Sequence, residues 1–276
     1  MKIAITGGNG RVGPAVIDFA LAQGHTVVSI DRIFESTDSS DPRITRIQLD
    51  TAQYDPFCAA LKGCDALIHL AAIPAPVNHP DHIVHNNNVA SSYNALRAAA
   101  ELGITRVCQA SSINAIGGVY SRSPRYDYFP VDEKHPTYAE DPYSLSKWIC
   151  EIQADAIARR FEAMTIASLR IHAAVDSKED ALSWQGRAGD ALIKHLWGYT
   201  TKVAIARACL LSLTVNFKGH EVFYIIAPQT MMNIDSLELR NRFYPNVPIR
   251  GELSDALGFF DCRKAEHLLG WRHDTD

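Results

Sequence analysis

The chain has 276 residues, 47% hydrophobic and 21% charged, with a formal net charge of −4. This composition suits one large globular domain, or one domain with a small appendage. It argues against a protein that holds nucleic acid by charge, because there is no basic run, and against a membrane protein, because no apolar run nears the ~20 residues that span a bilayer.

The chain opens directly on an apolar strand, without a basic then apolar leader, so a cytoplasmic location is expected. The cysteines, Cys58, Cys64, Cys108, Cys150, Cys209 and Cys262, form no CxxC pair and read as reduced thiols. No metal site is expected.

The first strand, Lys2–Thr6, runs into Gly7-Gly8-Asn9-Gly10-Arg11-Val12-Gly13 and then into a helix over 12–23. A glycine-rich turn at that junction aims backbone N–H groups and the positive helix end at one point. The glycines let a pyrophosphate approach the backbone. The second strand, Thr26–Asp31, ends on an acid at the spacing that places it against the adenosine ribose. A carboxylate there favours NAD over NADP, and Arg32 beside it softens that preference.

Further strands are expected at 44–50, 66–72, Arg106–Ser112 and Thr165–Ile171, short and apolar without strict alternation, as in a parallel sheet buried on both faces. Helical patterns over 55–62, 81–102 and Pro142–Arg160 lie between them. Pro56 and Pro142 stand near helix starts, Gly24 and Gly103 near helix ends. The alternation predicts an α/β fold with a Rossmann-type doubly wound sheet over residues 1–171. Residues 172–276 read as a small substrate-binding lobe: weak periodicity over 172–200, a helix over 202–213, a strand over 221–227, and helices at Ser236–Phe243 and Arg263–Leu269. A ligand belongs in the crevice between the two parts.

The helix at Pro142 begins with Asp141 as N-cap. It carries Tyr143 and Lys147 one turn apart on one face. A phenol is a poor acid at neutral pH, and a nearby ammonium moves it toward a useful range. The fifth strand ends Gln109-Ala110-Ser111-Ser112-Ile113-Asn114, where a hydroxyl is placed to bond a reacting oxygen.

Together these motifs resemble the extended short-chain dehydrogenase/reductase family, the NAD-dependent epimerase/dehydratases. The resemblance rests on the glycine loop, Asp31, Asp50, His69-Leu70-Ala71-Ala72, Asn88-Val89, Ser111-Ser112, Tyr143 with Lys147, and the acidic stretch Phe129-Pro130-Val131-Asp132-Glu133. It covers residues 1 to about 171 closely. It implies that Tyr143 is the general acid/base, that Lys147 lowers its pKa and bonds the nicotinamide ribose, and that Ser112 is the catalytic serine. It places Gly7, Gly10, Arg11, Val12 and Gly13 at the pyrophosphate and Asp50 near the adenine, with Leu70, Ala71, Ala72, Asn88, Ala110 and Arg170 along the cofactor. It also implies a homodimer through the helices at 81–102 and Pro142–Arg160, whose apolar residues exceed what one sheet face covers.

The substrate side departs from the family pattern. Where many relatives read LRxxNVYGP, this chain has Leu169-Arg170-Ile171-His172-Ala173-Ala174-Val175-Asp176. The arginine and paired acids of a nucleotide-sugar grip are missing near 195–202, with Arg187 as the nearest substitute, and a diphosphate without a bidentate guanidinium is held less firmly. A small substrate is therefore expected, such as a sugar acid or sugar derivative. Ser111, Ser112, Asn114, His172, Arg187 and Trp197 are the candidates to touch it, and the aromatics Tyr120, Tyr126, Tyr128, Phe129 and Tyr138 either line the site or pack the loop. The alternatives are a sugar-nucleotide epimerase or dehydratase, and a dinucleotide sensor without activity.

Overall fold

The computed structural model describes residues 1–183 and 190–273. Its elements alternate as the sequence pattern implies: β1 (Lys2–Thr6), α1 (Gly13–Ala22), β2 (Thr26–Asp31), β3 (Ile44–Gln48), α2 (Tyr54–Ala60), β4 (Ala66–His69), α3 (Asp81–Glu101), β5 (Arg106–Ser112), a 3-10 turn (Ile113–Ile116), α4 (Pro142–Arg160) and β6 (Thr165–Ile171). There follow β7 (Ala174–Val175), α5 (Lys178–Leu182), α6 (Asp190–Lys194), β8 (Thr200–Thr201), α7 (Lys202–Thr214), β9 (Gly219–Ile225), α8 (Ser236–Phe243) and α9 (Arg263–Leu269). Two strands stop earlier than the apolar runs suggest. Residues 49–50 and 70–72 leave the ladder and turn over the carboxyl end of the sheet.

Among the described residues the main sheet is seven-stranded and parallel, in the order β3-β2-β1-β4-β5-β6-β9. The order reverses between β1 and β4, the topological switch point where such sheets bind ligands. Successive strand residues enter opposite cores. Ile3 and Ile5 of β1 pack with α1 and α7, whereas Ala4 packs with the cluster under α2, α3 and α4. Both faces of the central strands β1, β4, β5 and β6 are mainly buried, which is why those strands read as apolar runs.

The second part of the chain returns to this sheet. The strand expected within the lobe is β9, paired residue for residue with β6 from Thr165↔Gly219 to Ile171↔Ile225. Helix α7 is buried at Ala204, Ile205, Ala206, Ala208, Cys209, Leu210 and Leu213 and covers β5 and β6 beside α1. The rest forms a separate aromatic core from Phe129, Trp197, Tyr224 and Phe259. No described helix is long and apolar enough to cross a membrane.

Candidate active site

The glycine loop is built around contacts no side chain permits. Gly7 sits at φ +69, and a Cβ there would lie 2.9 Å from the Ala71 nitrogen. A Cβ on Gly13 would meet the Gly7 carbonyl oxygen at 2.3 Å, so α1 can start this close to β1 only as glycine. At Gly10 the nearest atom is the Gly7 oxygen at 3.1 Å, and the remaining side is open.

Asp31 reaches back to this loop. Its Oδ2 accepts from the Asn9 backbone N–H at 3.0 Å and its Oδ1 from the Ile33 N–H at 3.3 Å, while the Asn9 side chain donates to the Ile33 carbonyl at 2.9 Å. On the other flank, Thr6 Oγ1 accepts from the N–H groups of Leu70 and Ala71, both at 3.1 Å. With both acceptor sites filled, the hydroxyl donates to His69 Nδ1 at 2.8 Å, which places the imidazole proton on Nε2. Burial holds His69 neutral, at a pKa of about 3.

A cavity of about 310 Å³ opens over the switch point. Gly7, Gly10, Arg11, Val12, Gly13, Asp31, Arg32, Asp50, Leu70, Ala71, Ala72 and Ala110 line it, with Leu49, Thr51, Pro74, Asn87 and Ile171 besides. The last five carry no motif of their own; four are direct neighbours in sequence of residues expected there. Glycines facing an open cleft, a carboxylate at one end and backbone N–H groups at the helix start suit the phosphates and ribose of a dinucleotide.

The second constellation adjoins Ala110. The Asp141 side chain accepts from the Ser144 N–H at 2.9 Å and caps α4. Lys147, 5% exposed, donates from Nζ to the Ala110 carbonyl at 2.7 Å, and its ammonium lies 5.8 Å from the centre of the Tyr143 ring. Burial lowers the Lys147 pKa, with Cys150 and Glu151 opposing. Burial pushes the Tyr143 phenol up, opposed by its hydrogen bond with Ser112. Ser112 Oγ accepts from the Asn114 N–H at 3.1 Å and from its side-chain amide at 3.3 Å, so its own proton is the one directed at Tyr143. Tyr120 stands edge-on to the Tyr143 ring, 5.7 Å away.

Several candidates are engaged elsewhere. The Asn88 amide bonds the backbone of Ile73 in both directions and Ser146, so it pins a loop, and Asn87 is the one facing the cavity. Arg170 does not lie along the cleft: it forks onto Glu151 at 2.9 and 2.8 Å beneath the sheet end. Ser111 points the same way and donates to Glu151 at 2.5 Å. Asn114 is consumed by Ser112 and the Val119 N–H. His172 donates to the His195 carbonyl and accepts from the Ala173 N–H, and burial holds it at about 3, so it is a neutral structural group. Trp197 packs at a tilt against Phe243 and Phe259 inside the lobe core. Tyr126, Phe129, Tyr128 and Tyr138 likewise pack the loop, leaving Tyr120 alone of that group against Tyr143. Arg187 lies outside the described residues. No cluster of possible metal ligands occurs among the described residues.

Fold and site together define a Rossmann-type dinucleotide-dependent enzyme carrying a serine–tyrosine–lysine constellation. Residues 3–175 match the profile of the NAD dependent epimerase/dehydratase family, and the chain belongs to that family. It is an NAD-dependent enzyme of the extended short-chain dehydrogenase/reductase type. It is 25% identical to a putative UDP-glucose 4-epimerase of Methanocaldococcus jannaschii, over 99% of this chain and 94% of that one. It is 30% identical to the L-arabinose 1-dehydrogenase (NAD(P)(+)) of Haloferax volcanii, over 62% of this chain and 66% of that protein. A solved glucuronic acid dehydrogenase from Chromohalobacter salexigens shares the fold, with a TM-score of 0.71 and 20% identity, covering 100% of this chain and 85% of that one.

Proposed function

We propose that this protein is an NAD-linked dehydrogenase that oxidises a hydroxyl, or reduces the matching carbonyl, of a small sugar-like substrate such as a sugar acid or a free sugar derivative. The observation that supports it is the Lys147–Ala110 contact. Ala110 lines the cleft, its carbonyl holds the ammonium, and Tyr143 and Ser112 sit one step further along the same seam. When bound, NAD supplies the hydride acceptor. In the oxidative direction the Tyr143 phenolate takes the hydroxyl proton, Ser112 donates to the same oxygen, and Lys147 stabilises the phenolate. Asp31 selects NAD over NADP by accepting from the ribose hydroxyl and repelling a 2′-phosphate. The part of residues 172–276 outside α7 and β9 supplies the substrate lobe.

The test is a screen for NADH formation with uronic acids, aldoses, nucleotide sugars and simple secondary alcohols. Turnover with a sugar acid or sugar and none with nucleotide sugars supports the proposal. The near full-length likeness to a putative epimerase favours a second reading, interconversion of a nucleotide sugar with no net use of NAD. Conversion of a UDP-sugar without added cofactor would establish that reading and displace the first.

A cytoplasmic homodimer fits the same enzyme. Tyr93 of α3 and Trp148 and Ile152 of α4 remain 44%, 36% and 47% exposed on neighbouring helices, an apolar surface that a second copy would cover. Light scattering that gave a monomer mass at micromolar protein would refute the dimer.

A further inference from the structure

Helix α4 carries a third functional side chain in step with the first two. Glu151 follows Lys147 by four residues and Tyr143 by eight, so the three share one face. They meet three consecutive residues of β5: Ser112 bonds Tyr143, the Ala110 carbonyl holds Lys147, and Ser111 donates to Glu151. Glu151 and Arg170 are each 6% exposed at the side chain. The guanidinium grips the carboxylate through two bonds and donates a third to the Tyr224 hydroxyl at 3.2 Å, tying α4 to β6 and β9.

A buried carboxylate one helical turn from a buried ammonium would ordinarily pair with it. Here each has another partner, so Lys147 keeps its proton donors toward Ala110 and the cleft. We infer that Arg170 is a positioning residue for Lys147: the guanidinium holds the Glu151 carboxylate on the sheet side and so leaves the ammonium to the cofactor and Tyr143.

The charged and titratable surroundings are closed. Tyr143 faces Tyr120, Asp141 and Cys150, besides Lys147 and Ser112. Lys147 faces Cys150 and Glu151 on its own helix and His69 from β4. Arg170 faces Glu151 and Tyr224, with Glu133 and His135 approaching from the loop before α4. Glu133 is occupied by the Tyr224 backbone N–H at 2.9 Å. No other carboxylate in this set reaches Lys147.

The inference rests on Lys147 acting at the cofactor, and NAD binding by the unaltered protein, read by calorimetry, checks that separately. Its own test compares Arg170→Met, Glu151→Gln and the double variant. In Arg170→Met the freed carboxylate captures Lys147, and NAD affinity falls about 10- to 100-fold, the worth of a hydrogen bond to a charged group. Adding Glu151→Gln removes the captor, and affinity returns to near that of the unaltered protein. A merely structural pair gives the opposite result, a double variant at least as weak as the single one. That result, or Arg170→Met binding NAD normally, would overturn the inference.

Should Arg170→Met not fold, Glu151→Gln alone decides the matter. It removes the captor, so NAD affinity stays within about threefold of the unaltered protein by calorimetry, less than one hydrogen bond's worth. A loss of about tenfold or more would make the pair a structural tie and sink the proposal.

Discussion

The cleft at the switch point and the aromatic lobe beyond it are built on opposite plans. In the cleft, glycines and alanines keep space open, and the polar side chains of Arg11, Asp31, Arg32, Asp50 and Asn87 line it. In the lobe, large rings fill the interior, and His172 is closed on the backbone at 173 and 195. The difference teaches how to weigh a polar residue near a site. What matters is whether its hydrogen-bonding capacity is still available once the neighbouring backbone has been satisfied.

Four experiments sharpen or break this contrast. The largest effect is expected on the cleft side, from Tyr143→Phe. It removes one hydroxyl and should lower turnover by ~10²–10⁴-fold with NAD binding retained. A variant keeping most of its rate of NADH formation would make Tyr143 a packing residue like the rings of the lobe.

On the lobe side, Trp197→Ala should cost about 3–5 kcal/mol of stability by denaturant unfolding, because it empties a ring-lined core. A small loss of stability with a large loss of substrate affinity would instead make Trp197 a ligand contact.

The third effect is on pH dependence. His172 titrates at about 3 in the folded protein because burial disfavours its charge, against about 6.5 when unfolded. Below 6.5 the unfolded chain binds a proton that the folded chain refuses, so stability present above pH 6.5 is lost as the pH falls toward 3. His172→Gln should remove about 2 kcal/mol of the stability difference between pH 7 and pH 5, read from urea midpoints. An unchanged pH dependence would mean that His172 is solvated and open to a ligand.

The smallest effect is expected from Asp31→Ala, about a tenfold narrowing of the preference for NAD over NADP, as one hydrogen bond and one repulsion are lost. Unaltered protein that binds NADP more tightly would show that Arg32 governs this end of the cleft.

Much of the fold was legible because parallel strands buried on both faces are continuous apolar runs, and Gly24 and Gly103, at φ +78 and +72, mark helix ends. The place of β9 was not, since a strand carries no mark of which neighbour it joins. In the cleft, twelve expected residues face the cavity because strand ends and a glycine turn fix the backbone there. Arg170 went astray because adjacent strand residues face opposite ways: Leu169 enters the α1 side and Arg170 the α4 side. Its partner was visible as the third residue of the Tyr143–Lys147–Glu151 spacing. Asn87 and Asn88 are adjacent on a helix and so point about 100° apart, which sequence alone does not orient. Trp197 is held at φ +51, a conformation no local motif announces.

The return of the chain to the sheet at β9 governs how this protein is made. Until residues 219–225 have emerged, β6 is an edge strand with six of its seven residues destined for the interior. An apolar edge of that kind invites pairing with another nascent chain. Synthesis at about 5–20 residues per second leaves it open for several seconds, so chaperone demand should concentrate there. A fragment ending near residue 175, where the family match stops, would carry the cleft intact in sequence and yet keep that edge uncovered for good.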